Sequence, residues 1–210
     1  MNLDGSREFE RLKRSFAATW RHEKGPLPRI CFILKILNPA LEQRFEAYIC
    51  CLPPLYRNIE EFYHGTAFKC SMPRGESVCS NAECGACGIA KKGFDPERIS
   101  SQAWQRFGKG FYFAVNSSKA YEYPLSLYRR PRAQQPIHRC LLVCEVAPGR
   151  KHIVYQDEPS LKGPPLGCHS VYGKVNRSPS GLNYEEIVVY QTEAIRPRYI
   201  LVLQNTFVQS

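Results

Sequence analysis

Tyr63-His64-Gly65-Thr66 decides how this chain is read, because two further short runs follow it in order. They are Gly108-Lys109-Gly110-Phe111-Tyr112-Phe113-Ala114 and Tyr184-Glu185-Glu186-Ile187-Val188-Val189-Tyr190. Each is rich in aromatic or β-branched residues and is interrupted by glycine or by an ionisable side chain, the pattern of a strand edge bordering a cleft. A lone His64 would most simply be a core histidine satisfied by a backbone carbonyl. Gly65 beside it changes that reading, since a residue without Cβ lets a ligand reach the backbone. Tyr112 and Tyr123 have the plain alternative of being core aromatics. Glu186 is harder to place in a core, because a carboxylate at an otherwise apolar strand end is costly unless it faces a cleft or a partner.

Around these runs the chain alternates between periodicities. Phe9, Leu12, Phe16 and Trp20 recur at helical spacing among charged residues, so 7–22 reads as an amphipathic helix stopped by Gly25-Pro26. Residues 29–37 are nearly all apolar and suit a strand buried on both faces. Asn38-Pro39 reads as an N-cap with proline in the first turn, followed by a helix with Leu41, Phe45, Tyr48 and Ile49 on its inner face. Pro53-Pro54 ends that helix.

Residues 67–107 form a long connection, with one short helix expected near 96–107. A loop of that length needs a fastener in a compact domain. Residues 110–114 read as a strand and 117–123 as a helix ended by Pro124. Residues 138–147 form the clearest long strand, closed by Pro148-Gly149. Residues 155–183 read as loop, and 184–192 and 198–204 as the last strands. Strands outnumber helices and the helices crowd to the front, which gives an α+β class.

The 210 residues suffice for one sizeable core, and no linker divides them. The expected organisation is an N-terminal helix and connection over 1–28 and a main domain over 29–210. No apolar run approaches the roughly 18 residues of a membrane span, so no membrane partner is expected. The first residues lack the apolar stretch of a secretory signal, which gives an intracellular expectation, cytosol or nucleus. The net charge of +10 favours polyanions. The basic residues are scattered, however, apart from Arg129-Arg130-Pro131-Arg132 and the first twenty-five positions. Nucleic acid is therefore a compatible partner but not a required one.

Of ten cysteines, Cys70, Cys79, Cys84 and Cys87 fall in a C-x8-C-x4-C-x2-C pattern. Without a secretory context such a cluster points to thiols or metal ligands rather than disulfides. Four thiolates suit a closed, structural zinc site, and Cys84-Gly85-Ala86-Cys87-Gly88 lets the chain turn around the ion. Four unrelated thiols are the plainer reading. A nucleic-acid-binding finger lacks the basic helix that should follow Cys87.

Taken together, the three runs resemble the catalytic domain of the poly(ADP-ribose) polymerase-like ADP-ribosyltransferases. The family signature is a histidine in a His-Gly pair, a tyrosine in a Gly-Lys-Gly-x-Tyr-Phe-Ala run and a glutamate in a Tyr-x-Glu-x-x-Val-Tyr run. The resemblance runs from about residue 29 to 203 and includes Gly167-Cys168-His169-Ser170-Val171-Tyr172-Gly173. It implies split, antiparallel-rich sheets around a cleft for NAD+ as co-substrate, with an acceptor protein, the chain itself included, as the second partner.

The resemblance also implies roles. His64 binds the adenosine ribose, and Gly65 meets the nicotinamide carboxamide through its backbone. Tyr112 and Tyr123 sandwich the nicotinamide ring. Glu186 binds the nicotinamide-ribose 2′-hydroxyl and stabilises the cation that forms as nicotinamide leaves.

Three departures stand out. The family serine three residues before the second tyrosine is here Ala120, so Ser117 or Ser118 substitutes for it or the bond is absent. The cysteine cluster lies between the first two motifs, in the loop covering the NAD site, whereas the zinc site of the tankyrase branch follows the second tyrosine. The stretch before His64 is too short for the helical autoinhibitory domain of the DNA-damage-responsive members. Tyr184, two residues before Glu186, is not the Gln or Glu of arginine-directed toxins. These features favour mono-ADP-ribosylation of side chains other than arginine. An inactive relative binding NAD, ADP-ribose or nucleic acid is the alternative reading.

Overall fold

The computed structural model describes residues 5–21, 26–69, 78–99, 105–127, 138–176 and 182–204. Cys70 and the Arg129–Arg132 cluster lie outside these residues. One eight-stranded sheet runs through the molecule in the order β1-β8-β4-β2-β3-β7-β6-β5. Its strands are β1 (Ile30–Lys35), β2 (Glu60–Gly65), β3 (Phe111–Ala114), β4 (His138–Val146), β5 (Lys151–Val154), β6 (Ser170–Gly173), β7 (Glu186–Val189) and β8 (Ile195–Gln204). All neighbours pair antiparallel except β5 with β6. With four α-helices beside it among the described residues, this is the α+β class expected from the sequence.

The sheet divides in its middle. β2 pairs with β4 along its whole length, from Glu60↔Val146 to Gly65↔Leu141, but meets β3 only at Tyr63↔Ala114. The expected split is thus a sheet of two halves hinged at one residue pair.

Helices cover both faces. Ser6 caps α1 (Arg7–Ala18), its Oγ accepting from the Phe9 amide at 3.1 Å. Leu12 and Phe16 of α1 are buried with Ile33, Tyr63, Leu141 and Leu201, each contributing about 1.5–3 kcal/mol of burial. The N-terminal helix therefore shares the core of the main sheet. Asn38 caps α2 (Pro39–Cys51) through Oδ1, which accepts from the Leu41 amide at 3.3 Å, as its sequence suggests. On the other side of the sheet Phe32, Leu34, Phe62, Phe113, Ile187 and Ile200 pack with residues of α3 (Gly85–Lys92).

Five sequence expectations need correction. The helix of the long connection is α3, not one over 96–107, where the described residues hold only a single 3-10 turn, Pro96–Arg98. Gly85 and Gly88 read as turn residues, yet Gly85 is there because a Cβ would stand 2.2 Å from Thr66 Oγ1. Helix α4 (Ser117–Leu127) runs through Pro124; proline removes one backbone donor but its φ is helical. The stretch read as loop contains β6, too short to show alternation. Finally, β8 begins at Ile195, and a register irregularity between Val143 and Cys144 accompanies Pro197, which has no N–H to donate, opposite Cys144.

Candidate functional site

Where β2 and β3 part, a cavity of about 720 Å³ opens, and His64, Gly65, Tyr112, Tyr123 and Glu186 all line it. Residues from three distant segments and α4 thus meet at the hinge of the sheet.

The parting strands leave the Tyr112 carbonyl facing His64, whose Nδ1 lies 2.9 Å from it. A carbonyl only accepts, so Nδ1 carries the proton and Nε2 keeps its lone pair. The ring lies edge-on to Phe94, centroids 4.9 Å apart, and near Phe113 at 5.5 Å. Burial lowers the imidazole pKa below its ordinary value, against the opposing pull of the carbonyl. The neutral ring is thereby favoured, with Nε2 as an acceptor.

Tyr112, on β3, has its hydroxyl tied into the preceding turn. It donates to the Gly108 carbonyl and accepts from the Phe107 amide, both at 2.8 Å. The ring lies nearly parallel to Phe107. Gly108 has φ +72, and a Cβ there would stand 1.7 Å from the Leu161 carbonyl oxygen, so the glycine is required by both conformation and space. Burial raises the Tyr112 phenol well above its ordinary value. Tyr123, on α4, is 40% exposed and borders the same cavity.

Glu186 begins β7, paired with Ala114 on one side and Gly173 on the other. It is 8% exposed. Lys119 Nζ approaches Oε1 and Arg106 Nε approaches Oε2, each at 3.7 Å. Arg106 is itself held by Asp157, Nη1 to Oδ1 at 3.0 Å. Burial raises the carboxyl pKa, while Lys119 and Arg106 pull it down and Asp157 pushes it up. The sequence reading missed both cations. Lys119 carried a signal, since it lies four residues before Tyr123 and therefore on the same helical face.

Ser117 and Ser118 are not brought to this cavity. The Ser117 hydroxyl donates to the Phe16 carbonyl at 2.8 Å, and Ser118 Oγ accepts from the Arg21 amide at 3.1 Å, so both fasten α4 to the α1 end of the chain. The expectation that one of them stands in for the missing serine does not fit their positions. Ala120 lines the cavity instead, at 3% exposure.

The cavity is also edged by Cys79. Its thiol forms a group with those of Cys84 and Cys87, all three sulfurs within 4.8 Å of one another. Lys91, Lys92, Arg98, Arg106 and Lys119 border the cavity against Asp95 and Glu186, which gives it a positive balance suited to an anionic ligand.

A family model for the poly(ADP-ribose) polymerase catalytic domain matches residues 6–181 of the chain. That span contains β2, β3 and α4. Among curated proteins, the protein mono-ADP-ribosyltransferase PARP3 of Homo sapiens is 31% identical over 103 residues, 48% of this chain and 18% of that protein. The poly [ADP-ribose] polymerase 2 of Homo sapiens is 29% identical over 131 residues, 49% of this chain and 21% of that protein. The mono-ADP-ribosyltransferase PARP3 of Mus musculus is 34% identical over 84 residues, 39% of this chain and 15% of that protein. The matches thus span about a fifth or less of the length of these relatives.

Proposed function

Since the chain belongs to the poly(ADP-ribose) polymerase catalytic domain family, we propose that it binds NAD+ in the cavity between β2 and β3 and transfers ADP-ribose to a protein side chain. The observation that carries this reading is the meeting of His64, Tyr112, Tyr123 and a buried carboxylate, Glu186, around one cavity of about 720 Å³. That volume lies within the roughly 300–1,000 Å³ of small-ligand sites.

On this reading His64 Nε2 accepts a hydrogen bond from the adenosine ribose, and the Gly65 backbone meets the carboxamide. The rings of Tyr112 and Tyr123 hold the nicotinamide between their faces. The bond from the ribose C1′ to the nicotinamide nitrogen breaks, its electron pair leaves with the ring, and nicotinamide departs neutral. Positive charge develops at C1′. Ionised Glu186, bonded to the ribose 2′-hydroxyl, stabilises that charge more than it stabilises bound NAD+. An acceptor side chain then forms the new bond to C1′ and loses its proton. Lys119 and Arg106 keep the carboxylate ionised against its burial.

Mono-ADP-ribosylation, of the chain itself or of another protein in the cell interior, is the product class proposed. The zinc ion expected from the cysteine pattern has no part in the transfer, its role being structural. A second reading is that the cavity binds NAD+ or ADP-ribose without turnover. It is favoured by Ala120, which offers no hydroxyl to the carboxamide, and by the two cations that partly neutralise Glu186.

Incubation with NAD+ labelled in its adenine, followed by intact mass and nicotinamide assay, separates the readings. The transferase couples one nicotinamide released to each ADP-ribose attached or hydrolysed. Saturable NAD+ or ADP-ribose binding with no nicotinamide release establishes the binding module, and no binding of either removes both.

A further inference from the structure

We propose that Cys79, Cys84 and Cys87 together hold one thiophilic divalent cation of the zinc class, and that this ion anchors α3 as a rigid wall of the cavity. The inference gives the structural zinc of the preceding reading a location and a consequence, and it depends on no step of transferase chemistry.

Thiols packed merely as small hydrophobes have no reason to converge. Here three sulfurs lie within 4.8 Å of one another. Four-coordinate zinc with Zn–S near 2.3 Å sets sulfurs about 3.8 Å apart, so the cluster needs only a small inward adjustment. Cys84 is the N-cap of α3 and Cys87 stands one turn on, both with 0% exposure.

The loop that supplies Cys79 is fixed independently of any ion. Lys91 Nζ donates to the Cys79 carbonyl at 3.0 Å, and Arg98 Nη1 donates to the Ala82 carbonyl at 2.9 Å. The Cys84 amide donates to the Asn81 carbonyl at 3.0 Å. The third sulfur is therefore positioned by backbone anchored to α3 and to the turn after it. Each ligating thiol gives its proton to solvent. Three thiolates against two positive charges leave one negative charge, which the neighbouring Lys91 ammonium offsets.

The consequence for the cavity follows from where α3 ends. Its first turn docks behind β2, with the Ala86 amide donating to the Ala67 carbonyl at 3.2 Å. Eight residues, about 12 Å of helix, lead from there to Gly93 and Phe94, the ring that packs against His64. An ion at the first turn thus holds one end of a short rod whose other end abuts the imidazole. A helix this short has little stability of its own, so its order depends on what anchors it.

Metal content by mass spectrometry of the purified full chain tests the site. The expected result is about one zinc per chain in wild type and in the control Cys50→Ser, falling at least about tenfold in Cys84→Ser and Cys87→Ser. Cobalt-substituted wild type should show thiolate-to-metal charge-transfer absorption, a readout that stands even if the variants do not fold. Removal of the ion by a chelator should raise amide exchange across 85–94 several-fold while leaving β4 protected, and added zinc should reverse it. The site is overturned if wild type binds neither zinc nor cobalt, if Cys84 and Cys87 isolate as a disulfide with no metal, or if Cys84→Ser retains full metal. Unchanged exchange over 85–94 on metal removal overturns the anchoring. None of these readouts measures NAD+ turnover, so failure of the metal site and failure of the transferase reading are told apart.

Discussion

Replacing Glu186 by Gln removes one charge while keeping a side chain able to hydrogen-bond a ribose hydroxyl. Lys119 and Arg106 already approach the carboxylate oxygens at 3.7 Å, so a cation developing at a hydrogen-bonded ribose sits at a similar range. One charge pair at about 4 Å is worth about 4 kcal/mol at an effective dielectric near 20, or about three powers of ten in rate. The two cations answer part of that field, and we expect a fall of about 10²–10³ in kcat, the range seen on removing one preorganised transition-state group. NAD+ affinity should stay within a few-fold, because the lost interaction belongs mainly to the transition state.

The same substitution has a signed effect on stability. Burial raises the folded-state pKa of Glu186, so its contribution to stability is fully present below its unfolded pKa and is lost as pH rises through the folded value. The variant should therefore melt at or above the wild-type temperature at neutral pH, and the two should converge in acid. Wild-type turnover should fall as pH drops through that raised value, since the ionised carboxylate is the form proposed to act. Nicotinamide release from labelled NAD+, calorimetry and melting curves across pH provide the readouts. Turnover of the variant within threefold of wild type, or a loss of binding in step with turnover, refutes the role assigned to the charge.

Gly108→Ala forces a left-handed conformation on alanine, costing about 1–2 kcal/mol, and drives its Cβ into the Leu161 backbone, costing about 1–3 kcal/mol more. A total near 3 kcal/mol corresponds to melting lowered by about 6–12 °C for a chain this size. Gly163→Ala meets no atom within 4 Å and should melt like wild type; equal melting of the two variants contradicts the close approach. Tyr112→Phe leaves the Phe107 amide without its hydroxyl partner and should cost about 1–3 kcal/mol in denaturant titration, while nicotinamide affinity by calorimetry holds within a few-fold because the ring face remains. Ala120→Ser should tighten nicotinamide binding by about twofold to tenfold, the worth of one hydrogen bond, and an unchanged affinity removes the carboxamide from that position.

Much of this site was legible because three short runs, each weak alone, occur together and in order. His64, Tyr112 and Glu186 each interrupt a short apolar run, and the structure brings all three to one cavity. The Asn38-Pro39 start of α2 was legible for a local reason too, since capping depends on a few adjacent residues. What escaped was decided by contacts distant in sequence. α3 starts at a glycine that only the packing of Thr66 explains. Ser117 and Ser118 face away from the cavity because the chain at Phe16 and Arg21, about a hundred positions earlier, takes their hydroxyls. Arg106 reaches Glu186 across 80 residues of sequence, with Asp157 steadying it, and nothing near Arg106 announces either partner.

The hinge between β2 and β3 ties the fold to the proposed chemistry more closely than any single residue does. A strand that parts from its neighbour leaves backbone groups without ladder partners, and a buried one costs about 1–3 kcal/mol. At Tyr112 the deficit is met by the His64 ring, which supplies a donor at 2.9 Å. That bond fixes the tautomer and leaves Nε2 as an acceptor on a residue that lines the cavity, and burial favours the neutral ring that keeps it one. On the proposed reading, opening the sheet and creating a hydroxyl-binding group are thus one event, carried by one side chain. It follows that His64→Ala removes a structural bond together with a ligand contact. Its loss of NAD+ affinity can be assigned to ligand recognition only in so far as it exceeds the loss of stability measured in the absence of nucleotide.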